Sequence, residues 1–124
     1  MNDKRPKHLA LNKINLPLPG VVSILHRISG LLLFFAVPWL LLMLQYSLRS
    51  IETYTQLLEI LAHPLVKLML IGLVWACLHH FLAGVRLLAI DLDYGVKLAQ
   101  ARASSKLVLV AGLVMTVLLG AKLW

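Results

Sequence analysis

An all-α membrane protein with three transmembrane helices is the fold class this sequence predicts, on three observations. Of its 124 residues, 60% are hydrophobic and only 14% are charged, and the mean hydropathy is +0.88, which leaves too little polar surface to keep a globule in solution. The apolar residues gather into three runs, each close to or above the roughly 20 residues that cross a bilayer as a helix. Short polar segments separate the runs. No internal repeat or low-complexity tract is visible, so the chain reads as a single membrane-anchor domain over residues 1–124.

The elements follow in order. Residues 1–20 form a polar tail with Lys4, Arg5, Lys7 and Lys13, and the first span covers about 21–48. Pro38 falls inside that span, where it is expected to kink the helix without ending it, because packed neighbours can satisfy the freed backbone groups. The connection "RSIETYTQLLEILAH" has the polarity of a short interfacial helix. The second span covers 64–90, a basic connection "DLDYGVKLAQARASS" follows, and the third span covers 106–124. Lys97, Arg102 and Lys106 join the tail cations on one side, against Arg49, Lys67 and Lys122 on the other. Positive charge gathers on the cytoplasmic side of bilayers, so the tail is expected inside and the C-terminus outside. The first run is too long for a secretory signal and lacks a cleavage site, and a bacterial inner membrane, crossed several times, is the expected location. The net charge of +7 flanks apolar runs and forms no stripe, so it marks orientation and lipid contact and argues against nucleic acid. Cys77 cannot form an internal disulfide, being the single cysteine, and is expected to pack among its apolar neighbours.

Ionisable groups at bilayer depth are costly, about 2.5–3.5 kcal/mol each near a helix centre on insertion scales, and so need a partner or a task. The second run carries the densest set: His79, His80, Arg86 and Asp91. At about 100° per residue, His80, Gly84, Leu87 and Asp91 share one face, and His79, Ala83 and Arg86 share another. A glycine one turn from His80 leaves a notch against which a planar macrocycle could lie while the imidazole reaches its iron. The same spacing also suits a small-residue helix contact with the histidine hydrogen-bonded across it. Counted from the span ends, His26 lies about 7 Å deep and His80 about 15 Å deep, at about 1.5 Å per residue. The two are therefore expected at different levels, and a second axial ligand is expected from elsewhere. In the first span, Ser23, Arg27 and Gly30 share a face near its start, where a hydroxyl and a fixed cation could hold a quinone carbonyl. Arg27 could equally reach lipid phosphate. His26 and Arg27 sit near the depth that haem propionates would reach. Arg86 and Asp91 are expected as interfacial anchors, though Asp91 could instead pair with a cation of another chain, and His8 and His63 are expected as solvated groups at aqueous ends.

"SILHRISG" at the start of the first span and "HHFLAGVRLLAIDLDYG" late in the second, together with the "RPKHLAL" approach and the three-span layout, resemble the cytochrome b membrane-anchor subunits of succinate dehydrogenase. The likeness covers nearly the whole chain. It implies an electron-transport subunit that is not catalytic alone, and a haem b bundle shared with a second small membrane-anchor subunit. It also implies flavoprotein and iron-sulfur subunits docked on the inner face, and ubiquinone as the substrate reduced there. By the same resemblance His80 is the haem iron ligand, His26 and Arg27 approach the haem propionates, and Ser23 and Arg27 bind ubiquinone. His79 stands where relatives often carry another residue, and Leu87 stands in place of a histidine of some relatives. The alternatives are a haem-free structural membrane protein, the anchor of a related fumarate reductase, and a small transporter, for which the paired repeats and broken helices are missing.

Overall fold

The computed structural model describes residues 15–124, and its described part is helical throughout. Four helices follow in order: α1 (Leu18–Ser47), α2 (Ile51–Ala62), α3 (Pro64–Asp91) and α4 (Leu98–Leu123). At about 1.5 Å per residue, α1, α3 and α4 are about 45, 42 and 39 Å long, more than the roughly 30 Å of a bilayer's hydrocarbon core. All three are long and apolar enough to cross a membrane. Lys4, Arg5, Lys7, His8 and Lys13, which include the tail cations behind the orientation reading, lie outside the described residues.

Local chemistry explains each boundary. α1 begins behind Pro17, with proline again in its first turn, where a missing N–H costs nothing. It runs unbroken through Pro38, so the proline does not end the helix. Its end is marked by Ser47, whose hydroxyl donates to the Leu44 carbonyl at 2.7 Å. α2 opens with a reciprocal capping box: the Thr53 N–H donates to the Ser50 hydroxyl at 3.2 Å, and the Ser50 N–H donates to the Thr53 hydroxyl at 3.0 Å. The Ser50 hydroxyl and the residue's own backbone hold the Glu52 carboxyl below its ordinary pKa. α2 buries none of its residues completely, as suits the short interfacial helix expected there. Tyr46 ties it to α1, donating to Gln56 Oε1 at 2.6 Å. His63, expected to be merely solvated, caps α3 by accepting from the Leu65 N–H at 3.3 Å. After α3 the chain reverses through Asp93 and Gly95, both at positive φ (63° and 75°), conformations that Asp and Gly adopt most readily.

The helix that carries the third apolar run starts ahead of the run itself. α4 begins at Leu98, so the expected stretch from Lys106 is only its later part. "LAQARASSK" is polar but rich in good helix formers, a property that an apolar count does not register.

Packing depends on small residues. α4 buries Ser105, Val108, Gly112, Thr116 and Gly120, a stripe at steps of three and four that lies along one side of the helix. A Cβ at Gly112 would stand 4.0 Å from the His79 Cα, and one at Gly120 would stand 3.4 Å from Ile71. Without a hydrophobic drive between helices in lipid, such close approach supplies the attraction. The buried hydroxyls are satisfied within their own helix: Thr116 donates to the Gly112 carbonyl at 2.6 Å and Ser105 to the Ala101 carbonyl at 2.7 Å. Val22, Ala83 and Val108, one from each long helix, form the core cluster. Large apolar side chains such as Phe34, Phe35, Leu107 and Val117 point outward, and Cys77 is exposed as well. The expectation that Cys77 packs inside is thus corrected: it sits on the face of α3 turned away from both neighbours.

Gly112→Ala should be tolerated, because its methyl meets only ordinary contact. Gly112→Leu should separate α3 from α4 and cost about 1–3 kcal/mol, read as a lower thermal midpoint of the assembled, detergent-solubilised complex.

Candidate functional site

α3 lies between α1 and α4 and presents a different polar pair to each. His79 and Arg86 face α4. His79 is fully buried, its ring stacked on Trp75 with centroids 5.2 Å apart. Neither of its ring nitrogens has a hydrogen-bond partner among the described residues. Arg86 is 8% exposed, so the interfacial-anchor expectation is corrected. Its Nε donates to Ser104 Oγ at 3.0 Å and its Nη2 to the Ala101 carbonyl at 3.3 Å. The guanidinium therefore joins the end of α3 to the start of α4. Asp91 is exposed at the last residue of α3.

The other pair meets α1. The rings of His26 and His80 stack with centroids 4.2 Å apart and planes 10° apart. Each ring also lies over a glycine of the opposite helix. A Cβ on Gly30 would stand 2.9 Å from His80 Cε1, and one on Gly84 would stand 3.4 Å from His26 Nε2. Two expectations change here. The histidines do not sit at separate levels: measured from the observed ends Leu18 and Asp91, their depths are about 12 and 16 Å at about 1.5 Å per residue, and helix crossing closes the remainder. The notch beside Gly84 receives His26, whereas the glycine under His80 is Gly30.

Hydrogen bonds orient the His80 ring. Its Nδ1 lies 3.1 Å from the His26 carbonyl oxygen and 3.4 Å from Ser29 Oγ. The Ser29 hydroxyl itself donates to the His26 carbonyl at 2.9 Å. A carbonyl can only accept, so Nδ1 carries a proton, and in the neutral form of the ring the lone pair is on Nε2. Among the described residues no hydrogen bond engages Nε2. A histidine held by a carbonyl through one nitrogen, with the other left as donor, is the usual form of a metal-ligating imidazole. Among the described residues no three His, Cys, Asp or Glu gather into a chelating group. A single imidazole suits an iron that brings its own equatorial nitrogens. The residues present therefore fit a haem. Rings stacked face to face with centroids 4.2 Å apart leave no room for an iron between their nitrogens, so His26 and His80 cannot clasp one iron from opposite sides.

Ser23 and Arg27 flank this seam. They are one turn apart on α1, beside Gly30 in helical register, with Ser23 half-buried and Arg27 exposed. Neither side chain is hydrogen-bonded among the described residues. α4 meets α1 on its Val22 edge and α3 on its His79–Arg86 face. Ser23, Arg27 and His80 consequently lie along the flank that α4 leaves uncovered. Sequence reasoning missed Ser29 and the pairing of Gly30 with His80. Their signal was present in the spacing, because both lie one helical turn beyond His26.

Residues 1–119 match the family model described as succinate dehydrogenase/fumarate reductase transmembrane subunit. The chain is 36% identical to the succinate dehydrogenase cytochrome b556 subunit of Coxiella burnetii (strain RSA 493 / Nine Mile phase I), with all of both chains covered. It is 30% identical to that of Rickettsia felis (strain ATCC VR-1525 / URRWXCal2), over 94% of this chain and 91% of the relative. The protein of the same name from Paracoccus denitrificans is 31% identical, over 92% of this chain and 88% of the relative. With the family model spanning almost the whole chain, and with three long apolar helices beneath it, this protein belongs to the succinate dehydrogenase/fumarate reductase transmembrane subunit family.

Proposed function

We propose that this chain is the cytochrome b membrane anchor of a bacterial succinate:ubiquinone oxidoreductase, with His80 an axial ligand of haem b and Ser23 and Arg27 part of the ubiquinone site. The observation that carries the reading is the His80 ring, held by the His26 carbonyl at Nδ1 with Nε2 left as a lone-pair donor. The names of the relatives support a place in a complex with flavoprotein and iron-sulfur subunits.

Haem, when bound, supplies one-electron storage beside the quinone. His80 would hold its iron through Nε2. His26 and Arg27, near the same end of α1, would meet the propionates, where a charge-assisted pair is strongest if shielded from water. A further imidazole for the iron would come from a second anchor subunit, because among the described residues no other histidine stands beside His80 except the stacked His26 and the enclosed His79. Arg27 supplies a fixed cation where negative charge grows on the quinone oxygen during reduction. Ser23 donates its hydroxyl to a quinone carbonyl and holds the ring against that cation. This chain performs no chemistry on succinate; its residues bind, orient and exclude water. The end of the bundle where α1 begins faces inward in a bacterial inner membrane, beside the soluble subunits. The family includes fumarate reductases, and the partner subunits decide the direction of electron flow.

In the assembled complex, His80→Leu should abolish the b-type signal in a reduced-minus-oxidised spectrum. Retained absorbance would remove His80 as ligand. Gly30→Ala should also lower haem content, because its methyl would push the imidazole aside. Gly20→Ala, whose Cβ would meet nothing closer than 3.7 Å, should leave the spectrum unchanged. Arg27→Ala should cut succinate-dependent ubiquinone reduction by about 100-fold or more, the scale seen when a charge-stabilising donor is removed, with electron transfer to a soluble dye preserved. Normal quinone reduction at normal haem content would refute the assignment.

A further inference from the structure

Ser29 is completely buried at the seam between α1 and α3 (0% exposed), yet no general packing need requires a hydroxyl there. Its Oγ donates to the His26 carbonyl at 2.9 Å, the same oxygen that lies 3.1 Å from His80 Nδ1. In a regular helix that oxygen also receives the N–H of residue 30. Three donors therefore converge on one acceptor with two lone pairs. Gly30 makes the convergence possible, because any Cβ would occupy the space of the ring.

We infer that Ser29 is a positioning residue for the haem iron: it shares the His26 carbonyl with His80 and thereby tunes the ring's strength as a donor. The inference rests on the reading of His80 as axial ligand. A strong bond from Nδ1–H to its acceptor makes the imidazole a more basic ligand. A more basic ligand favours oxidised over reduced iron. The Ser29 oxygen lies 3.4 Å from Nδ1, farther than the carbonyl at 3.1 Å, so the carbonyl is the main acceptor; by taking part of its accepting capacity, the Ser29 hydroxyl weakens that bond and moves the balance toward reduced iron. A serine that merely filled space would leave this balance untouched.

The test uses the assembled complex and reads haem by optical redox titration and by low-temperature electron paramagnetic resonance of the oxidised form. Ser29→Ala removes the competing donor, and Ser29→Cys keeps the branching but puts a slightly larger and much weaker donor there. Either variant serves if the other fails to assemble. Both should retain haem, and at the ambient potential that half-reduces the wild type the reduced-to-oxidised ratio should fall by about threefold or more, with altered resonance positions. Ser105→Ala, which removes another fully buried serine bonded to a carbonyl on α4, should titrate as the wild type. Ser29 variants that titrate and resonate as the wild type would overturn the inference and leave His80 as ligand intact. An equal shift in Ser105→Ala would overturn it too, by tracing the change to packing. Haem retained in His80→Leu would instead overturn the ligand reading itself, and the role of Ser29 with it.

Discussion

The close approach of α1 and α3 at two glycines is the constraint on which the rest of this structure depends. Each helix presents a histidine to a position where the other has no side chain, so the two rings stack in a space that Cβ atoms would otherwise fill. Lipid offers no hydrophobic drive to hold helices together, and contact must come from shape and from polar groups that find partners. The histidines provide both. Moving either glycine's backbone outward would separate the rings, release Nδ1 of His80 from its carbonyl and open the seam beside Ser23 and Arg27.

α3 resolves a harder problem than its neighbours, because it carries polar groups on two faces within hydrocarbon. The His80 side is answered by backbone and hydroxyl groups of α1. The Arg86 side is answered by Ser104 and the Ala101 carbonyl of α4, which place a buried charge among acceptors at a helix end. His79 is the exception, enclosed by Trp75 and the backbone near Gly112 with neither nitrogen bonded. An unsatisfied buried polar group costs about 1–3 kcal/mol.

The spans and the family were legible in the sequence, because both are written in single residues and short motifs. Long runs of Leu, Val and Phe announce helices whose surfaces meet lipid, and "SILHRISG" with "HHFLAGVR" names its relatives without reference to packing. Pairings between helices were harder to read. Helical spacing correctly put His79 and His80 on different faces, but which glycine each ring meets depends on tilt and on the true helix ends. An error of three residues at the start of α1 was enough to separate His26 from His80 on paper. The start of α4 was missed for a related reason: hydropathy measures preference for lipid, while "LAQARASSK" expresses preference for helix.

That early start has a mechanical consequence. A loose connection ahead of the third span would act as a tether, letting anything resting on it drift over the membrane surface. The first two turns of α4 form instead a stiff extension of the helix, tied to the end of α3 by the Arg86 guanidinium and carrying Arg102 on its exposed side. Swinging that segment away would break both Arg86 bonds at once, so the connection leaves α3 in a fixed direction.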